Sequence, residues 1–263
     1  MIPREHGAYA ELLFPMVSVF AGGSPTRATW MMALGAVACF LANEPLLVVF
    51  GARGNRMRRD HGERAKRMLG VFAVVALTAG GAGLWWAPPR ARVAVALPLL
   101  LGAGVAWVAI QGRERSRFGE TLAAAALSSV ALPLGLTAGL SVTVALTLTA
   151  VWLIAALLAT AAVQLVVYQT RAKEELELRR ARSMRAWLIG LSLGVVVAGA
   201  AVLFGTRGAG WISLGIAPVA LVVAGVSIAQ PTAHQLRSVG WGFVIANLSS
   251  LMIVVAVLRV GRG

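Results

Sequence analysis

Asn43 and Glu44 stand near the end of an otherwise apolar stretch, residues 28–50, and the chain then runs straight into its most basic segment, residues 51–67. An ionisable side chain inside a membrane span is costly, and so rare unless it faces a cavity, a pathway or a partner. A carboxylate and an amide inside a span, with arginines just beyond it, can hold a polar head group, a cation or a proton. Arginine forks grip phosphate oxygens, and carboxylates bind hard divalent cations such as Mg²⁺. Glu44 and Asn43 are therefore the candidate metal ligands, with Arg53 as the first cation beyond them.

The rest of the chain must position this pair, and its composition indicates a membrane. Of 263 residues, 59% are hydrophobic and only 13% are charged, and mean hydropathy is +0.80. A soluble core of this length needs far less apolar side chain. Apolar runs of about 20 residues can cross roughly 30 Å of hydrocarbon. Nine are read here: 8–23, 28–50, 68–87, 93–111, 120–140, 142–168, 186–205, 211–229 and 239–258. The first is short and holds Glu11 and Pro15. Its flanks mimic a signal peptide, but Glu5, His6 and Glu11 crowd a region that should be basic and then apolar, so it reads as a retained helix. The fifth and sixth runs meet near Ser141 with almost no loop. The expectation is an all-α, polytopic helical bundle of about nine spans, a single domain over residues 1–263. Within it a pseudo-repeat relates residues 1–111 to 120–229, with 239–258 as a last helix.

Charge supplies the orientation. The net charge is +14, from 24 Lys and Arg against 10 Asp and Glu. The cations sit in loops rather than over one face with interleaved aromatics, so nucleic acid is not the expected partner. With the N-terminus inside, 18 of the 24 cations fall on inside segments and 6 on outside ones. The positive-inside rule then gives a multi-pass protein of the inner (plasma) membrane, N-terminus cytoplasmic and C-terminus outside. Segment 51–67, with Gly51, Gly54 and Gly62, is expected to be irregular. Segment 171–182 lacks Gly and Pro and carries Glu175 four residues before Arg179, so the sixth helix is expected to continue out of the membrane there. The glycine cluster from Gly80 to Gly83 suits close helix packing within the chain.

On this orientation Glu44 lies about 9 Å in from the inner end of its span and Glu11 about 5 Å in, at helical rise. Glu120 opens the fifth span, and Gln164 sits one turn inside the sixth, ahead of Tyr168 and Arg171. Gln230, His234 and Gln235 form the last inner loop; His6 precedes the first span, and Arg117 lies just before Glu120. Carboxylates and amides under a rim of arginines outline a polar cavity open to the cytoplasm. It suits an amphiphile with an anionic head. The candidate substrate-binding set is His6, Glu11, Asn43, Glu44, Arg53, Arg117, Glu120, Gln164, Tyr168 and Arg171. Other chemistry lacks its residues: there is no Gly-rich phosphate loop, no nucleophile elbow, no CxxC and no HExxH. Haem held by paired intramembrane histidines is set aside, because His6, His61 and His234 lie outside the spans. Cys39, the lone cysteine, reads as a small buried apolar residue.

Pro3-Arg4-Glu5-His6-Gly7-Ala8-Tyr9, leading into an apolar helix with Pro15, resembles the N-terminal Pro-x-x-His-Gly-Ala signature of the YwiC-like family of bacterial membrane proteins. Residues 113–122, with Glu120, are similar to that family's basic loop and acidic helix start. More distantly, the nine-span pattern resembles the UbiA superfamily of intramembrane prenyltransferases. That resemblance implies a UbiA-like architecture and an isoprenoid diphosphate bridged by Mg²⁺ in a cytoplasm-facing cavity. Asn43 and Glu44 fall where the first Asp-rich motif of that superfamily begins, and Gln164 with Tyr168 near the second. Asp60 is the only aspartate, so the Asp-rich motifs themselves are missing and enzymatic activity is left open. The expected function is binding of an isoprenoid diphosphate or lipid; the alternatives are a small-molecule or ion transporter using Glu44, or a membrane assembly scaffold.

Overall fold

A computed structural model describes residues 6–113, 116–171, 175–205, 208–231 and 235–260, the side chains of His6 and Arg171 lying outside the description. Among the described residues every regular element is a helix: α1 (His6–Gly22), α2 (Arg27–Val49), α3 (Asn55–Trp86), α4 (Pro89–Ala94), α5 (Ala96–Ile110), α6 (Arg117–Ser129), α7 (Ala131–Thr137), α8 (Val142–Arg171), α9 (Glu175–Gly205), a 3₁₀ segment (Gly208–Ile216), α10 (Ala217–Ala229) and α11 (Leu236–Val260). Seven helical stretches in this set are long and apolar enough to cross a membrane. They match the second to sixth, eighth and ninth runs expected from the sequence. The first run forms a shorter apolar helix, Tyr9–Gly22, and the seventh falls within α9. The protein is a polytopic helical membrane protein.

The chain divides into two compact units, Met1–Thr149 and Ala150–Gly263. In the first, α1 and α2 run antiparallel and touch at two levels. Phe20 and Trp30 have ring centroids 4.4 Å apart, and Tyr9 meets Phe40 edge-on at 5.0 Å. The turn between them is tied to the end of α7: Ser24 N donates to the Ala138 carbonyl at 2.8 Å, and Thr26 Oγ1 to that of Thr137 at 3.2 Å. Thr26 also caps α2, exchanging hydrogen bonds with Thr29 in a capping box. The α6–α7 span is the most enclosed of the seven, whereas α3 and α4–α5 lie at the edge with most of their apolar surface open.

The α2–α3 pair packs closely because its seam is built from small residues. A Cβ on Gly35 would stand 3.0 Å from Gly80 Cα, and one on Gly83 would stand 2.8 Å from Met32 N. The Gly80–Gly83 cluster thus serves packing inside the chain, and it fixes the antiparallel register.

Segment 51–67 is not irregular. The break is confined to a short turn in which Gly51 and Gly54 take positive φ, +79° and +92°, closed by Gly54 N donating to the Gly51 carbonyl at 2.9 Å. From Asn55 onward α3 is one continuous helix through Gly62. Helical glycine costs about 1 kcal/mol relative to alanine. Here the arginines and lysine around it are good helix formers, and the helix is anchored by the span that follows. Arg56–Asp60 at 3.8 Å and Glu63–Lys66 at 2.6 Å add pairs along the exposed surface. Cys39 likewise departs from expectation, being exposed on α2. The buried positions of that helix, Met32, Gly35 and Ala38 among them, claim the packed sides. In a membrane the outward side is also apolar, so a thiol is tolerated there.

The expected short turn before the sixth run is present, α7 ending at Thr137 and α8 starting at Val142. Gly139 turns it at φ +80°. The stretch 175–182 is helical and opens α9; residues 172–174, where continuity with α8 would be decided, lie outside the described residues. The second unit packs α10 against both α9 and α11. A Cβ at Gly215 would press on Val254 and Val151, so the 3₁₀ segment is wedged between helices.

Candidate functional site

Arg53 sits in the α2–α3 turn, and its guanidinium reaches back to Glu44. Nε donates to Oε1 at 3.0 Å and Nη2 to Oε2 at 2.7 Å, a bidentate fork on a carboxylate. The two side chains keep only 23% and 17% of their surface exposed, so water screens the pair less than it would at an open surface. Its position also suits the backbone, because a cation just past a helix C-terminus complements the macrodipole. Pro45, inside α2, removes one rung of the helical ladder beside Glu44.

The glycine register sets the depth of this pair. Following α2 forward from Gly35 and α3 backward from Gly80 brings Glu44 level with Val71, one turn short of Arg67, where the apolar part of α3 begins. Exposed Trp85 and Trp86 mark the other end of that apolar part, with Trp30 at the same end on α2, while exposed Trp107 on α5 lies towards the opposite boundary. Tryptophans at membrane–water boundaries form such belts, a signal the charge and motif reading passed over. From Arg67 to Trp86 is about 28 Å at helical rise, close to the hydrocarbon thickness of ~30 Å. Glu44 therefore lies about 6 Å inside the boundary at the basic end, and Arg53 neutralises it there.

The other residues of the expected set are placed as follows by their helices. Phe40 lies one helical turn from Glu44 on the same side of α2 and meets Tyr9, which sits two residues before half-buried Glu11. Glu120 is in the first turn of α6, where a carboxylate favours the helix start. Ser116 caps that start by accepting from Gly119 N at 3.1 Å, and α6 packs on α1. Arg117, the first residue of α6, is exposed. Asn43 points about 100° around α2 from Glu44 and has no hydrogen-bond partner among the described residues. Half-buried Gln164 and exposed Tyr168 lie on α8 within the second unit, and Arg171 ends that helix.

These residues do not suit a resident Mg²⁺. Both Glu44 oxygens are engaged by Arg53, and among the described residues no three His, Cys, Asp or Glu side chains gather at metal-binding distance. Asp60 faces Arg56 on the exposed start of α3.

Sequence reasoning also missed a depression of about 360 Å³ at the opposite end of the first unit, lined by Thr26, Arg27, Ala28, Trp86, Pro88 and Thr137. Four separate elements build it, and no local motif announces such a place.

The YwiC-like protein family profile matches residues 2–135. The chain belongs to the YwiC-like family. The matched stretch runs from α1 into α7 and so includes Glu11, Asn43, Glu44, Arg53, Arg117 and Glu120; Gln164, Tyr168 and Arg171 fall beyond it. No curated protein and no solved structure matches the chain.

Proposed function

We propose that this YwiC-like protein binds a membrane amphiphile with an anionic head group, a lipid or an isoprenoid diphosphate, at the basic end of the α2–α3 hairpin. The carrying observation is the layout of α3. Arg58, Arg59, Arg64 and Arg67 are exposed and none forms a close ion pair among the described residues: Asp60 and Glu63 engage Arg56 and Lys66 directly, and Arg67 acts on Glu63 only through its nearby charge. Directly below them on the same helix, Val71, Val74 and Leu77 are open to the surroundings. Guanidinium groups over an apolar helix face are complementary to a phosphate over an acyl or prenyl chain. In this reading Glu44 positions rather than binds: it holds Arg53 at the hairpin turn and keeps the arm of α3 at a fixed angle. Binding without prenyl transfer is the version favoured, because among the described residues no three metal-ligating side chains gather to hold a diphosphate-bridging metal. A proton-coupled transport role for Glu44 is disfavoured by the fork that occupies both its oxygens. The cation excess at this end supports an inner-membrane protein with this end, and the N-terminus, in the cytoplasm.

Native mass spectrometry of the full-length protein, titrated with phosphatidylglycerol, phosphatidylcholine and farnesyl diphosphate, tests the proposal. Arg64→Gln/Arg67→Gln should weaken the anionic ligands by about tenfold or more, the equivalent of one charge-assisted hydrogen bond, and leave phosphatidylcholine unchanged. Equal binding of all three ligands by variant and wild type would end this reading.

A further inference from the structure

The depression at the other end of the first unit has a chemistry of its own. Arg27 is the first residue of α2, where the macrodipole is positive and a cation is unfavourable, so it does not serve the helix it begins. It is exposed and has no hydrogen-bond or ion-pair partner among the described residues. The stretches that line the depression carry no carboxylate: no Asp or Glu occurs in residues 12–43, 64–113 or 121–173. The described acidic residues of this unit, Glu11, Glu44, Asp60, Glu63 and Glu120, belong to the opposite end. Arg92, also at this end, is used up otherwise, donating to the Ala87 carbonyl at 2.8 Å and the Trp85 carbonyl at 2.9 Å at the C-terminal end of α3. Arg27 instead stands at the edge of a concave space with Trp86 and Pro88 as apolar wall. The backbone at the start of α2 is already closed by the Thr26–Thr29 capping box, so any anion there would be held by the guanidinium.

We propose that this depression is a second binding site, taking a phosphate group with Arg27 as its clamp and Trp86 and Pro88 packing against the attached carbon skeleton. A volume of about 360 Å³ is at the lower end of small-ligand pockets, enough for a glycerophosphate-sized head but not for a whole lipid. The exposed Trp30, Trp85 and Trp86 nearby place the site at the membrane boundary, where lipid phosphates lie. A lipid head and a free phosphate ester share this chemistry, and the test separates them. The site is independent of the α3 arginines, so either proposal can fail alone.

The decisive experiment is native mass spectrometry of the full-length protein in neutral detergent, with phosphatidylglycerol as probe and inorganic phosphate as competitor. Arg27→Gln should remove one phosphatidylglycerol binding event or weaken it about tenfold, whereas Arg90→Gln, an equal change of charge on the exposed start of α4, should leave it intact. Competition by inorganic phosphate in the wild type would assign the site to free phosphate esters, and failure to compete would assign it to a lipid head. Unchanged binding in Arg27→Gln, or equal loss in both variants, overturns the proposal. Should Arg27→Gln not fold, Arg27→Lys keeps the charge and loses the fork: several-fold weaker binding supports the site, and unaltered binding refutes it.

Discussion

Two arginines flank α2, and their surroundings are opposite. Arg53 follows the helix at its C-terminal side, where the backbone dipole favours a cation, and it is forked onto a carboxylate. Arg27 opens the helix at its N-terminal side, where the dipole opposes it, and no described carboxylate pairs with it. The same side chain is therefore structural at one end and available at the other. In a lipid-embedded protein, counting cations near a boundary says little about function until each has been assigned its acceptor.

The largest effect should come from breaking the satisfied end. Arg53→Ala leaves Glu44 unpaired about 6 Å inside the boundary and should cost about 3 kcal/mol, read as a lower melting temperature in detergent. Adding Glu44→Gln to that variant should restore much of the loss; a double variant no better than Arg53→Ala would show that the fork is not what holds the turn. A smaller effect is expected at the start of α2. Thr26→Ala removes the capping box and the bond to the Thr137 carbonyl, for a loss of about 1–2 kcal/mol, measured the same way. The smallest is Arg27→Gln without ligand, which should leave stability unchanged or raise it by under about 1 kcal/mol, since a cation leaves a helix N-terminus. A clear destabilisation would mean that Arg27 has a structural acceptor and that the contrast between the two ends is false.

Much of the architecture was readable from the chain, because crossing a bilayer demands long apolar runs and these are hard to disguise. The short turn between α7 and α8 was also legible, as two apolar runs met near Ser141 with almost no loop. Segment 51–67 was misread because its three glycines weigh the same in a sequence. In the fold, Gly51 and Gly54 take positive φ while Gly62 stays helical, and only the neighbouring geometry distinguishes them. Cys39 was misplaced for a related reason: inside a membrane, apolar no longer means buried. The fork between Glu44 and Arg53 escaped notice because it depends on how sharply the chain reverses after Val49. Asn43 was coupled to Glu44 by adjacency, yet neighbours on a helix look in different directions. The depression beside Arg27 lay beyond any local reading, being assembled from the ends of helices far apart in the chain.

The unbroken run of α3 from its charged start to Trp86 has a mechanical corollary. A helix of 32 residues is a rod about 48 Å long, and a rod cannot be pulled at one end alone. Sliding its basic tip by a single residue rise would drag Gly80 and Gly83 off Gly35 and Met32, where no slack exists. Whatever grips the arginines at one face of the membrane thereby loads the packing near the other.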